Sequence, residues 1–318
     1  MIIVSVLLVL TLALVAMKLF WEPLTSGPYE EFVDETRQTI RYNGQWYVYN
    51  DDIETVLVMG LDKYESQVQQ GSYNNDMQAD FLTLLILDRG EDKATALHLN
   101  RDAMTQMNIL GLKGEKVGTT TAQLALAHTY GSGGKDSGKN TADAVSGFLY
   151  DISVNHYLSL TMDAVETLND LVGGVTVEVL DDFSSIDPAL VKGQKVTLKG
   201  SQALTYVRTR QGVGDETNEQ RMKRQQQYMN EMLSLVTHKI DTDENFLTRV
   251  GLDVADYIVS DCTVEQLKRI CSFVSDYKIT EIRGLEGESK QGEKFMEFYP
   301  DEEKLQELII ELFFEPKK

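Results

Sequence analysis

Basic charge, cysteine and any metal-binding spacing of histidines are all scarce in this sequence. Its 30 Lys and Arg stand against 50 Asp and Glu, a formal net charge of −20 over 318 residues. Such a field repels polyanions, which excludes general nucleic-acid binding and requires any anion site to be a local basic island. No helix-turn-helix pattern stands out, which argues against a transcriptional regulator. The two cysteines, Cys262 and Cys271, make no metal-ligand pattern. A disulfide or two buried thiols both fit, and thiols are the expectation. His98, His128, His156 and His238 are scattered with no HExxH-like spacing, so no zinc site is expected. Internal repeats are missing, and so is any composition break that would mark a second domain.

Only the N-terminus carries a long apolar run. Met1 to Met17 is apolar except for Ser5 and Thr11, and Lys18 is the first charge. With Leu19, Phe20 and Trp21 the run reaches the roughly 20 residues that span a bilayer. Trp21 suits the aromatic belt at the interface. A cleaved signal peptide would need an A-x-A-like site, and a buried core helix is rarely so uniformly apolar. Residues 1–21 therefore read as an uncleaved transmembrane signal anchor, though no Lys or Arg precedes it to set the orientation. Residues 22–50 read as an acidic linker and a β-hairpin, because Asn43-Gly44 between aromatic and β-branched residues signals a type I′ turn.

Beyond this point strands and helices alternate, which argues an α/β sandwich. Thr55 to Gly60 and Phe81 to Asp88 are short continuous apolar runs, the pattern of strands buried on both faces. Ala94 to Leu99 is a third strand. Asp62 follows the first run, Asp80 opens the second, and Asn100-Arg101-Asp102 closes the third. Alone, each aspartate fits a turn or a cap; three charged junctions in one sheet point to a site at the strand ends. Thr119 to Tyr130 has helical spacing, and the glycine-rich segment from Gly131 to Asn140 reads as a flexible loop. Thr161 to Leu171 is an amphipathic helix ended by Gly173-Gly174. Val175 to Leu180 alternates as a half-buried strand.

The segment ALTYVRTRQGVGDETNEQRMKRQQQ, Ala203 to Gln227, concentrates arginine. As a strand, Leu204 to Arg210 puts Arg208 and Arg210 on one face. Gly212 and Gly214 break it, and a helix from Gln220 carries Arg221 and Arg224 near its start. Arginine forks at a helix N-terminus suit phosphate. Pairing of these arginines with Glu216 and Glu219 as ordinary surface charge is the alternative.

Taken in order, GLD, the aspartate of the second strand, NRD, LVGGVTVEV, LKGSQALTYVRTR and RMKRQQQ resemble the LytR-CpsA-Psr family of Gram-positive cell-envelope enzymes. The resemblance runs from about Thr55 to about Val236. It implies an α/β/α sandwich with a central mixed β-sheet, preceded by one N-terminal transmembrane helix. A catalytic domain over residues 51–240 and a helical C-terminal portion over 241–318 would follow. It also implies an enzyme of the cell membrane, single-pass, with its catalytic domain on the extracytoplasmic side. Such an enzyme moves a glycopolymer (teichoic acid or capsule) from a polyprenyl-pyrophosphate carrier to peptidoglycan through a phosphodiester. By the same resemblance Asp62 and Asp80 hold Mg²⁺. Arg101, Arg208 and Arg210 surround the pyrophosphate with Arg221, while Asp102, Arg224 and Gln225 fall on recurrent family positions. Asp102 is the candidate proton acceptor. The sequence departs from the family at Gln78-Ala79-Asp80, usually RSD, and at Asn100-Arg101-Asp102, usually PRD. Asn218 replaces a usual acidic residue, with Asp215 nearby. Arginines with Mg²⁺ would neutralise charge on the transferred phosphoryl and its leaving phosphate. The rivals are a hydrolase of the same pyrophosphate and a non-catalytic anchored protein that binds polyprenyl lipid or wall polymer.

Overall fold

The computed structural model describes residues 39–63, 77–209, 211–214, 216, 218–243, 245–254, 257–277, 279–293 and 295–317. The expected anchor, most of the linker, Arg210, Asp215 and Thr217 lie outside the described residues, as do the side chains of Asp62, Asn218, Glu219 and Cys271. Among the described residues no helix is long and apolar enough to cross a membrane.

A hairpin, β1 (Thr39–Tyr42) and β2 (Gln45–Tyr49), opens the chain. Three strands follow: β3 (Ile53–Lys63), β4 (Met77–Asp88) and β5 (Lys93–His98). A second hairpin, β6 (Met104–Leu110) and β7 (Lys116–Gln123), leads through a short 3-10 turn to helix α1 (Gly134–Phe148). Next come β8 (His156–Thr161), α2 (Ala164–Leu171), β9 (Thr176–Glu178), β10 (Lys195–Thr197) and α3 (Ser201–Arg208). They are followed by α4 (Asn218–Thr242), α5 (Phe246–Val254), β11 (Ile258–Ser260) and α6 (Val264–Tyr277). The chain closes with β12 (Ile279–Gly284), β13 (Gly287–Gln291), β14 (Met296–Pro300), α7 (Glu302–Phe313) and β15 (Phe314–Pro316).

These elements divide into two compact units. Among the described residues, one comprises Leu160–Ile258 with Val264–Cys271; the other holds the chain from Thr39 to Ser159 together with Val259–Thr263 and the residues from Ser272 on. The first is here called the helical unit and the second the sheet unit. The division is discontinuous, so no linker-like stretch marks it in the sequence. That is why a single sandwich was the natural expectation.

In the sheet unit the strand order is β11-β8-β3-β4-β5-β12. β3, β4 and β5 pair antiparallel, and β12 adds parallel to β5, so the central sheet is mixed. Val56, Leu57, Val58 and Met59 are all fully buried, as are Leu84, Leu85 and Leu87, which bears out strands covered on both faces. Burial of each such side chain stabilises by roughly 1.5–3 kcal/mol. One face packs with Val145 and Phe148 of α1 and with Leu305, Ile309 and Phe313 of α7. The C-terminal portion, expected to be helical, therefore supplies strand β12 as well as α7. Asn43 and Gly44 take φ of 46° and 83°, both positive, as the type I′ hairpin requires.

Three local expectations are corrected. Thr119 to Tyr130 is the end of β7 and a 3-10 turn, not a helix. The glycine-rich stretch expected as a loop starts α1 instead. Gly138 packs there against Tyr157, where a Cβ would stand 2.3 Å from the ring, and Asn140 donates to the carbonyls of Ala127 (2.8 Å) and Asn108 (3.1 Å). Its small and polar residues thus serve close packing rather than chain freedom. Third, Leu204 to Arg208, the described part of the strand expected to run to Arg210 apart from Thr209, belongs to helix α3. Ala203, Tyr206 and Val207 are the buried positions of α3, a helical i, i+3, i+4 spacing that a few alternating residues concealed.

The helical unit has its own core. Leu168 and Val172 meet Val175, Val177, Phe183, Tyr206, Tyr228, Met232, Phe246 and Val250 there. Gly173 and Gly174 end α2 with φ of 93° and 96°, as expected. A Cβ on Gly174 would press to 2.7 Å of the Leu198 carbonyl oxygen.

Candidate active site

In the sheet unit the site is built where β5 ends. The backbone N–H of Asp102 donates to Asn100 Oδ1 (2.9 Å), and Ala103 N–H donates to the Asn100 carbonyl (3.0 Å). This tight turn lifts Arg101 beside β4. The Arg101 guanidinium pairs through Nη1 with Asp80, donates through Nη2 to Gln78 Oε1 at 3.0 Å, and lies with Nε 3.5 Å from Asp102 Oδ1. Asp102 is fixed in turn by Gln123, whose Nε2 donates to Asp102 Oδ1 (2.8 Å) and to the Met296 carbonyl (2.7 Å). Burial raises the Asp102 pKa, and the neighbouring Arg101 charge opposes that rise.

Asp80 does not open its strand, as the sequence had implied, but lies inside the β3–β4 ladder. Gly60 pairs with Phe81 and Leu61 with Ala79, so Asp80 is the extra residue of a β-bulge. A bulge re-aims the side chain it carries and is a frequent feature beside active sites. Position 62 pairs with Gln78, two residues from Asp80. The side chains of Arg101, Asp80 and Asp102 are 31%, 26% and 32% exposed, open enough for a ligand to reach. Asp80, on the bulged ladder next to a guanidinium, offers hard carboxylate oxygens of the kind that Mg²⁺ takes.

The arginines of the helical unit separate into different roles. Arg208 lies in the last turn of α3, half-buried, and Arg221 is half-buried in α4. Arg224 is buried with Asp181, each side chain 1% exposed, and its Nη1 donates to Asp181 Oδ2 at 2.5 Å. Its Nε donates to the Tyr206 carbonyl (3.1 Å), its Nη2 to the Thr209 carbonyl, and its guanidinium lies 5.1 Å from the Phe183 ring centre. Gln225 Nε2 donates to the Val207 carbonyl at 3.0 Å. Carbonyls at a helix C-terminus have no partner within the helix and favour cations. Arg224 and Gln225, the two α4 side chains on recurrent family positions and candidates for substrate binding, are thus engaged in closing the end of α3, which carries Arg208. No pattern along the chain marks Asp181, the acid that holds Arg224, or Gln123.

The structure therefore brings Asp80, Arg101, Asp102 and ladder position 62 together in the sheet unit. It gathers Arg224 and Gln225 at the α3–α4 junction of the helical unit. The model of the LytR_cpsA_psr family matches residues 25–310. The chain belongs to the LytR_cpsA_psr family. Among curated relatives, this LytR_cpsA_psr protein is 28% identical over 277 residues to the polyisoprenyl-teichoic acid–peptidoglycan teichoic acid transferase TagU of Enterococcus faecalis. That match covers 85% of this chain and 80% of the relative. It is also 28% identical over 186 residues to TagU of Halalkalibacterium halodurans, with 58% of this chain and 54% of that protein covered. A solved structure, TagT bound to LI-WTA, shares the fold at a TM-score of 0.53 and 22% identity, covering 82% of this chain and 90% of that one.

Proposed function

We propose that this LytR_cpsA_psr protein transfers an anionic glycopolymer from a polyprenyl-pyrophosphate carrier to peptidoglycan, forming a phosphodiester in cell-wall biogenesis. The observation that carries the proposal is the Arg101 cluster, a guanidinium held between Asp80, Gln78 and Asp102 at a bulged sheet edge. The name of the Enterococcus faecalis relative, a transferase between those two partners, supports it. In the reaction a peptidoglycan sugar hydroxyl attacks the phosphorus that bears the polymer. The new O–P bond forms as the bridging P–O bond breaks, and polyprenyl phosphate leaves with the bond's electrons.

Arg101, Arg208, Arg210 and Arg221 are the cations for the pyrophosphate oxygens, whose charge grows on the leaving phosphate. Asp102 takes the hydroxyl proton; a raised pKa makes it a better base than an ordinary aspartate. Asp62 and Asp80 are the residues to hold Mg²⁺, which when bound supplies further charge neutralisation. Residues 1–21 anchor the chain in the cell membrane, with the catalytic part on the extracytoplasmic side.

The test is release of polyprenyl phosphate when the purified chain meets carrier-linked polymer, peptidoglycan and Mg²⁺. Loss of a preorganised transition-state donor costs about 10²-fold or more in turnover, so Arg101→Ala is expected to fall by at least that factor. Unchanged turnover in Arg101→Ala sinks the assignment. Release at full rate without peptidoglycan identifies a hydrolase instead, and binding of the carrier without release in any mixture identifies a lipid-binding protein.

A further inference from the structure

A second cluster of reactive side chains lies elsewhere in the sheet unit. His156 is the first residue of β8, and Asp261 and Cys262 directly follow β11, its neighbour in the sheet. The two strands are laced by side chains: Ser260 Oγ donates to the Tyr157 carbonyl (2.6 Å) and Ser159 Oγ to the Val259 carbonyl (3.1 Å). Cys262 N–H donates to Ser260 Oγ at 3.1 Å, and Tyr157 N–H donates to Asp261 Oδ1 at 2.9 Å. This lacing brings one atom each of His156, Asp261 and Cys262 within 4.8 Å of one another. Cys262 is a buried, free thiol.

We propose that His156, Asp261 and Cys262 form a binding site for a zinc-type divalent transition metal. A nitrogen, a carboxylate oxygen and a thiolate sulfur are the ligand mix of zinc, whereas magnesium takes oxygen alone. Bond lengths of about 2.0–2.3 Å put tetrahedral ligands roughly 3.3–3.8 Å apart. His156 Nδ1 and Asp261 Oδ2 already stand 3.7 Å apart. The other ring nitrogen, Nε2, faces Glu54 Oε1 at 3.6 Å, and Arg89 Nε donates to Glu54 Oε2 at 3.1 Å. A carboxylate behind a liganding histidine fixes its ring orientation and raises its basicity, the usual outer support of a metal-bound imidazole. Asp261 is 35% exposed, which leaves a side open for a water as fourth ligand.

The site is separate from the phosphotransfer cluster. Glu54 and position 62 lie eight residues apart on β3, about 26 Å of strand. Metal binding needs the thiolate of Cys262 and an unprotonated Nδ1, so affinity weakens as pH is lowered. Its structural effect is to clip the short edge strand β11 onto β8.

Cobalt is the spectroscopic probe and zinc the competitor, both added to the metal-stripped full-length chain. The expected result is about one ion per chain, with the visible bands of tetrahedral cobalt, a near-ultraviolet thiolate-to-cobalt charge-transfer band, and displacement of both by zinc. Cys262→Ser removes the charge-transfer band, and His156→Ala weakens binding at least tenfold. Asp261→Asn, which keeps the buried thiol in place, also weakens binding, and circular dichroism reports whether each variant is folded. Glu54→Gln weakens binding by roughly 10–100-fold without removing the thiolate band. No uptake of either ion at micromolar concentrations overturns the proposal, as does an unchanged cobalt spectrum in folded Cys262→Ser. Rapid alkylation of Cys262 that zinc does not slow also overturns it, by identifying a thiolate–imidazolium pair instead.

Discussion

Replacing Arg224 by methionine separates a structural arginine from a substrate-binding one. The substitution keeps the aliphatic stem beside Phe183 and deletes the guanidinium. Asp181, 1% exposed, is then left as a buried charge without its cation. Breaking a buried pair from one side costs about 3–5 kcal/mol, because the remaining charge stays desolvated. The Tyr206 and Thr209 carbonyls lose their donor as well. Those losses overlap with the first and are not summed, since the groups form one network. The expected cost is therefore about 4 kcal/mol, a fall in melting temperature of roughly 8–16 °C for a chain of this size.

The double variant Arg224→Met/Asp181→Leu removes both charges and is expected to regain most of that loss, because apolar replacements of a buried pair are often neutral. Chemical denaturation of the parent chain and the two variants, alongside carrier binding at a temperature where each is folded, makes the measurement. Destabilisation under about 1 kcal/mol, combined with lost carrier binding, refutes the reasoning and returns Arg224 to the substrate.

Three other predictions concern the sheet unit. Asp102→Asn is expected to lower turnover by about 10²–10⁴-fold with little change in melting temperature; full turnover in this variant excludes Asp102 as the base. His128 is buried, and that burial lowers its pKa to about 4 against an ordinary 6.5, although the Met77 carbonyl opposes the shift. The unfolded chain thus takes up a proton that the folded chain refuses, so stability falls as pH drops from about 6.5 towards 4. The loss is about 2 kcal/mol at pH 5, and a urea-midpoint series in His128→Gln should show a shallower pH slope than the parent. Gly138→Ala drives a methyl into the Tyr157 ring, and a loss of about 1–3 kcal/mol in denaturant midpoints is expected. A neutral result would mean that α1 can slide outward freely.

Much of the sheet and the chemistry of its edge is legible in the sequence alone. Continuous runs such as TVLVM and FLTLLIL are too short for isolated helices of their kind and too apolar for a surface, so they read as strands buried on both faces. Asn43-Gly44 and Gly173-Gly174 announced their turns because each needs positive φ, which few residues tolerate. Arg101 and its two aspartates stood out as charges where apolar runs broke. The strand reading of Leu204 to Arg210 gives way to helix α3 over its described part to Arg208, because so short a stretch fits a period of two nearly as well as a helical one; only the packing of Ala203, Tyr206 and Val207 decides between them.

By itself, then, the sequence determined the family, the central strands and the kinds of side chain available for a pyrophosphate, since these depend on local pattern and residue chemistry. Tertiary structure decided which side chain does what. Arg208 and Arg224 are indistinguishable as letters, and burial against Asp181 is what commits Arg224 to closing α3. Asp80 became a bulged residue through its register with β3. His156 met Asp261 and Cys262 only because β8 and β11 are neighbours in the sheet. Contacts between distant segments are set by how the elements pack, and that packing leaves no periodic trace along the chain.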